Sequence, residues 1–525
     1  MMVEHIREGV FMAEPLQAPD ASGPLKWAKV IDHQSCVGCH ACTTACKSEN
    51  EVPLSVTRTY VKYADVGVFP QARRAFQVTR CNQCEDPPCA NACPTRAMHQ
   101  RPDGIVDFDK SICIGCKACI AACPYDAIFI NPEDHSAEKC NFCAHRIDVG
   151  LEPACVVVCP TEAIMVGDMN DPGSRVAQMA HRQAVTVRRP EKATRPKLFY
   201  RGAHQATLDP LAAQRPEGGI FMWSQQLEGA HYVVSGNPEV GNTSAEAILA
   251  YDIPHRTPWD WRVSLYTLTK GIAAGVYLMA LLFMSVEAFE TTGVMWKWVT
   301  PLLGFVFLGI TGALLIWDLE HPTRFYMIFT KSHWKSWLVK GSYIIAGYSM
   351  VLAIHFLGSL FAQPSWQIWV AWPFGLILAV LTSVYTAYLF AQARARDLWQ
   401  SPLLPPHMLL QTLMAGTAIL APCAAIYDAA VVLPLLRFLG VFSLIHLLLI
   451  LGEMTLTHST EHARLAAHEM TRGRYKIAFW TGVILAAIAV AAPWLGPWIA
   501  APVALLAILA FEHAYVQAGQ AVPLA

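Results

Sequence analysis

Four runs of cysteine carry the clearest chemistry in this chain. They are Cys36, Cys39, Cys42 and Cys46; Cys81, Cys84, Cys89 and Cys93; Cys113, Cys116, Cys119 and Cys123; and Cys140, Cys143, Cys155 and Cys159. A proline follows each of the last three runs. The first and third runs keep Cys-x2-Cys-x2-Cys-x3-Cys spacing, in which three close thiolates grip one 4Fe–4S cube and the fourth reaches a neighbouring cube. Such runs work in pairs, so four runs imply four cubes. The spacing predicts cubes on Cys81, Cys84, Cys89 and Cys123; on Cys113, Cys116, Cys119 and Cys93; on Cys36, Cys39, Cys42 and Cys159; and on Cys140, Cys143, Cys155 and Cys46. Zinc needs only four thiolates per site and asks for no third cysteine three positions on. A disulfide framework belongs to exported chains. The opening residues "MMVEHIREGVFMAEPLQAPDASGP" hold neither an apolar signal core nor a twin-arginine pair, so we expect a cytoplasmic iron–sulfur domain.

The second group of candidates lies in a very different setting. Ionisable residues inside apolar spans are functional candidates by default. Lys270 falls roughly 12 Å along a helix from Arg262, inside the first apolar run. Asp318, Glu320 and His321 close the second run, His355 sits deep in the third, and His446 and Glu453 lie toward one end of the sixth. Haem needs two histidines at matching depth. His355 and His446 differ by roughly 15 Å of helix rise, so no haem is expected. Quinone, menaquinone or ubiquinone, needs only an amphipathic pocket near the last cluster and a group that exchanges protons.

The elements that must position these residues follow from composition. The chain has 525 residues, 54% hydrophobic and only 15% charged, which points to a membrane lipid environment. The formal net charge of -1 gives no footing for nucleic acid. Sixteen of the 17 cysteines lie between Cys36 and Cys159, and long apolar runs begin near residue 262. The reading is an N-terminal extension over 1–30, a ferredoxin-like α+β double module over 31–167, a connecting arm over 168–262, an all-α membrane bundle over 263–514 and a tail over 515–525. Short strands are expected at "GIVDF" and "AIFI". Eight spans of bilayer length fall near 264–287, 298–317, 337–361, 367–390, 407–426, 430–452, 477–492 and 497–513, with tryptophans at their ends. On the cysteine side the loops hold nine lysines and arginines (Arg324, Lys331, Lys335, Arg394, Arg396, Arg464, Arg472, Arg474 and Lys476), against Lys297 and Arg437 on the far side. That asymmetry places the cysteine side in the cytoplasm, at the inner membrane.

The four cysteine runs, in this order, resemble the electron-transfer subunits of the DMSO reductase superfamily of molybdenum enzymes over about residues 31–165. The apolar half resembles the polysulfide reductase membrane-anchor family through "AAGVYL" (273–278), "DLEHPTRF" (318–325) and "SPLLPP" (401–406). In that family the two parts are normally separate subunits, and here they are one chain. The resemblance implies an eight-helix anchor without haem, a quinone pocket on the iron–sulfur side near Lys270, Asp318, His321 and Arg324, and a molybdopterin-containing catalytic subunit as partner. The function expected is a respiratory electron relay between that partner and the quinone pool. A redox-coupled proton-translocating subunit is the alternative. It would need a chain of buried carboxylates, where the sequence offers isolated ones such as Glu287, Asp428 and Glu453. A mere tether would not need sixteen ligands in complete sets.

Overall fold

The computed structural model describes residues 25–67, 69–214, 247–286, 289–290 and 293–525. Glu287 lies outside them. Within the cysteine-rich part, two two-stranded hairpins and two larger sheets frame the cysteine runs. Met98–Gln100 pairs antiparallel with Val106–Phe108, and Ile128–Ile130 with Ala137–Lys139, so both expected short strands form. Short helices begin inside or just beside the runs, at Ala41–Glu49, Pro88–Ala92, Ala118–Ala122, Ala144–Ile147 and Ala154–Val157. Each run is thus a loop that curls into a helical turn.

The larger sheets draw in chain from both sides of the cysteine cassette. Trp27–Asp32 lies between Ile164–Asp168, antiparallel, and Leu198–Arg201, parallel. Ile248–Tyr251 pairs antiparallel with Thr59–Val66, which pairs with Arg73–Arg80. The stretch read as a connecting arm therefore supplies strands to the iron–sulfur domain, and the first strand starts inside the expected N-terminal extension. The sequence signal was weak because these strands are only four to six residues long. Backbone pairing, not side-chain periodicity, defines them.

Among the described residues, seven helices are long and apolar enough to cross a membrane: Trp261–Ser285, Met295–Trp317, Trp337–Leu360, Trp372–Gln392, Leu404–Tyr427, Ala429–Thr455 and Pro497–Gln520. The pair Glu461–Thr471 and Lys476–Val490, bent by 71°, brings the number to eight when it is counted as one span. The first helix is the hub and is buried along most of its length. It crosses the fifth helix at Gly275 and Gly416, where a Cβ at Gly275 would collide with the Thr412 carbonyl oxygen. Small residues let helix backbones approach closely in this way in lipid. The stretch "AAGVYL" thus carries a crossing point.

Past residue 514 the chain stays helical to Gln520 and remains buried to Ala525. Arg396 donates to the carbonyls of Gln520 (3.0 Å) and Val522 (3.2 Å), Arg188 to Leu524 (3.0 Å), and Lys62 to Ala525 (2.9 Å). The segment read as a tail is a clasp between the two halves of the molecule. Composition hid it, because its anchors are backbone carbonyls that any sequence provides.

Candidate functional site

The thiols gather in four groups. The charged neighbours of the Cys89 thiol include Cys123, Cys81 and Cys84, and those of Cys116 include Cys93 and Cys113. Cys46 faces Cys140, Cys155 and Cys143, and Cys36 faces Cys159 and Cys39. Two of the groups enclose clear cavities. Cys93, Cys113, Cys116 and Cys119 line one of about 340 Å³. Cys36, Cys39, Cys42 and Cys159 line another of about 330 Å³.

These groups fit an iron–sulfur cube better than a lone ion. Among the described residues no three His, Cys, Asp or Glu side chains converge closely enough to hold a single metal ion. Backbone amides point at the sulfurs from outside: Met98 N–H at Cys93 (3.3 Å), Ala137 N–H at Cys113 (3.4 Å) and Ala163 N–H at Cys159 (3.2 Å). Such hydrogen bonds stabilise thiolate and help to set cluster potential. Burial pushes the Cys46 thiol up to about 12 and Cys123 up to about 11, so binding of a metal by these thiols would release protons. At Cys140 burial also pushes upward, but Lys29, Arg80 and Lys139 outweigh it and bring the thiol down to about 7.

The Cys93–Cys113–Cys116–Cys119 cavity sits directly on the membrane half. Trp259, at the foot of the first helix, donates its indole N–H to the Cys116 carbonyl (3.2 Å). Ser336 donates to Ala92 O (2.8 Å), His333 meets Cys93 O (2.9 Å), and Arg324 donates to Lys110 O (2.9 Å) and Cys113 O (3.0 Å). Glu320 N–H and His321 N–H reach the carbonyls of Gly115 and Ile114. Gly115 has φ +68°, and a Cβ there would strike Glu320, so only glycine permits this approach. Lys117 lies 3.5 Å from Asp318 and 3.1 Å from Glu320, and Arg262 lies 3.6 Å from Asp318. Burial pushes Asp318 up to about 6 against the pull of Lys117 and Arg262.

Among the described residues, Lys270 is set apart from the other three residues expected at the quinone pocket. Asp318, His321 and Arg324 belong to the junction just described. Lys270 lies deeper, 2% exposed. It donates to Thr386 Oγ1 (2.7 Å) and the Ser383 carbonyl (3.1 Å). It lines a cavity of about 270 Å³ with Thr267, Ser383, Gln411, Thr412 and Glu512. Glu512 lines the same cavity as Gln411 and Thr267 and is the charged neighbour of Lys270. Tyr266, one turn before Lys270, is buried beside the same Thr386.

Sequence reasoning missed Glu512, Gln411 and His407. A carboxylate inside the last apolar run was a usable signal for the first. Glu453, read as isolated, is buried beside Ser401 of "SPLLPP" and Tyr515. His446, read alone, has its Nδ1 2.7 Å from His407 Nε2. His355 instead meets the Tyr277 hydroxyl of "AAGVYL" at 3.0 Å.

Buried thiol quartets, seated through one of them on a bundle of membrane-length helices, define a membrane-anchored iron–sulfur protein of electron transfer. The comparisons with known proteins agree. The chain belongs to the family described as polysulphide reductase, NrfD, whose model matches residues 252–516, just over half of the chain. A 4Fe-4S dicluster domain matches residues 72–169. A tetrathionate reductase subunit of Salmonella typhimurium is 44% identical over 194 residues, 35% of this chain and 76% of that one. A polysulfide reductase polypeptide of Wolinella succinogenes is 42% identical over 177 residues, 33% of this chain and 93% of that one. The arsenate respiratory reductase iron–sulfur subunit of a Shewanella strain is 34% identical over 224 residues, 34% of this chain and 96% of that one. This chain is therefore an electron-transfer and membrane-anchor protein of the oxidoreductase class, with iron–sulfur clusters as cofactors and several crossings of the membrane.

Proposed function

We propose that this chain relays electrons between membrane quinone and a separate molybdopterin-containing catalytic subunit, through four 4Fe–4S clusters held by the quartets named above. The observation that carries the reading is the seat of the Cys93–Cys113–Cys116–Cys119 cavity on the membrane helices. From the Cys116 carbonyl the Trp259 indole leads to the foot of the first helix, which carries Lys270. Lys270 and Glu512 are the proposed proton-exchanging groups for quinone, menaquinone or ubiquinone, and their cavity is the proposed headgroup site. Asp318, His321 and Arg324 then serve the junction above it. No haem takes part.

The opposite end of the relay is the Cys36–Cys39–Cys42–Cys159 group. Cys39 is exposed there, and Val37 and Val157 are 56% and 62% exposed. An apolar rim beside an accessible thiol suits docking of the catalytic subunit. The relatives' names attach to reductases of tetrathionate, polysulfide and arsenate, and the partner's substrate is proposed to be an oxyanion or sulfur compound of that kind. The iron–sulfur domain is proposed to face the cytoplasm at the inner membrane, from the excess of lysine and arginine on its side.

The test uses the purified full chain in lipid vesicles. Quinol addition reduces the clusters, and Lys270→Met or Glu512→Gln slows that reduction while leaving the iron content and cluster spectra intact. Unchanged reduction in both variants refutes the proposed quinone site. A second reading, proton translocation, is favoured by the buried Lys270–Glu512 pair together with Glu453 and the His407–His446 contact. Vesicles that build a membrane potential during turnover support it, and vesicles that do not leave the simple relay.

A further inference from the structure

Arg80 is a buried cation that no carboxylate neutralises. It is 1% exposed, and among the described residues no Asp or Glu lies within ion-pair distance of it. Its Nη1 donates to Cys155 Sγ at 3.0 Å. Its Nε and Nη2 are buried without any hydrogen-bond partner in the protein. Its other charged neighbours are Cys42 and Cys140, and Cys36 and Cys46 feel it as well. These thiols belong to two quartets, Cys36–Cys39–Cys42–Cys159 and Cys46–Cys140–Cys143–Cys155. Arg80 stands where the two adjoin.

An isolated guanidinium in such a place is strongly unfavourable unless a countercharge meets it. A cube held by four thiolates is an anion, and it gains one more negative charge when one electron reduces it. Two donors with no protein partner, aimed among the ligands of two such cubes, find acceptors in cluster sulfur. Lys29 adds a second cation on one side only. It is 2% exposed, lies 3.9 Å from Cys140 Sγ and packs over the Phe142 ring at 4.1 Å.

We propose that Arg80 is the shared counter-ion of these two clusters, that Lys29 serves the second of them alone, and that the two cations raise the reduction potentials of the clusters they face. The inference rests on the quartet pairing given above. Net charge and hydrogen bonds to sulfur are established levers on cluster potential. A cation stabilises the reduced, more negative cube more than the oxidised one, so its presence favours uptake of the electron. Both clusters then act as the electron-holding end of the relay, away from the membrane junction. Arg80 is a positioning and tuning residue and touches no substrate.

The experiment is a redox titration of the purified full chain, followed by electron paramagnetic resonance, on wild type, Arg80→Gln, Arg80→Lys and Lys29→Gln. Arg80→Gln is expected to lower the midpoint potentials of two clusters and leave the other two in place. Arg80→Lys, which keeps the charge, is expected to recover most of that shift. Lys29→Gln is expected to lower one potential, and that cluster is one of the two moved by Arg80→Gln. Should Arg80→Gln lose its clusters, Arg80→Lys and Lys29→Gln carry the test. Unmoved potentials in Lys29→Gln, or a fall in Arg80→Lys as large as in Arg80→Gln, overturns the proposal, as does a shift confined to one cluster in Arg80→Gln. The pairing is checked separately, by iron content and by the spectra of Cys42→Ser and Cys155→Ser. If those two variants damage the same cluster, the pairing fails whatever Arg80 does to the potentials.

Discussion

Replacing Lys117 with methionine tests the junction between the two halves. Lys117 holds Asp318 and Glu320 across the domain boundary, at 3.5 Å and 3.1 Å, and donates to the Asp318 carbonyl at 3.1 Å. Its side chain is 9% exposed and that of Asp318 11%. Removing one partner of a buried pair costs about 3–5 kcal/mol, because the other charge is left uncompensated. Two features reduce that here. Arg262 remains 3.6 Å from Asp318, and Glu320 is 30% exposed, so water screens it. The remaining cost is about 2–3 kcal/mol. For a unit of roughly 200 residues, that lowers the melting midpoint by roughly 4–12 °C. The assay is thermal loss of the visible cluster absorbance in detergent. The double variant Lys117→Met with Asp318→Asn removes the orphaned charge and recovers most of the loss. A single variant that melts like wild type refutes the reasoning. So does a double variant that melts no higher than the single one.

Other perturbations read different parts of the molecule. Cys123→Ala removes the cluster of Cys81, Cys84 and Cys89 and spares that of Cys113, Cys116, Cys119 and Cys93; resonance spectra that lose only the latter contradict the pairing. Gly275→Ala drives a methyl into the Thr412 carbonyl, and destabilisation by about 1–3 kcal/mol or more should show as a lower yield of folded, detergent-soluble protein. His255 lies between Asp126 and Asp252. Burial alone would lower its pKa, but the two carboxylates outweigh it and hold it up at about 10. Its folded value lies above the ordinary value of about 6.5, so its stabilisation is complete below about 6.5 and is lost as the pH rises through about 10. The melting gap between wild type and His255→Gln should therefore close between neutral pH and about pH 10.5, and a constant gap would count against the ion triad. A cysteine introduced as Val149→Cys, at an exposed position of the iron–sulfur domain, should escape a membrane-impermeant maleimide in intact cells and react once the cells are opened; labelling in intact cells contradicts the cytoplasmic orientation.

Much of this protein was legible in one dimension because its chemistry is local. The cysteine runs place three thiols within a single loop, so their spacing alone names the cofactor class. The apolar runs must satisfy their own backbone polar groups, so length and composition alone name the helices. The same logic read the short strands at "GIVDF" and "AIFI". Positive charge on the cysteine side was also visible, but part of its purpose was not. Arg324, Arg394 and Arg396 hold Lys110 and Cys113, Asp86, and the carbonyls of Gln520 and Val522. A charge count cannot separate a docking residue from a topology signal.

What the tertiary structure decided were relations between distant segments. Arg80 precedes Cys81 in the sequence, yet its guanidinium serves thiols of the first and fourth runs. Lys270 and Glu512 lie 242 positions apart and share one cavity, while Lys270 and Asp318, grouped by sequence, occupy different places. The last five residues look like a tail and are buried between the halves. In each case the partners are a buried charge and whatever the fold sets beside it. Burial removes the water that would otherwise answer that charge, and only the packed chain determines what takes its place.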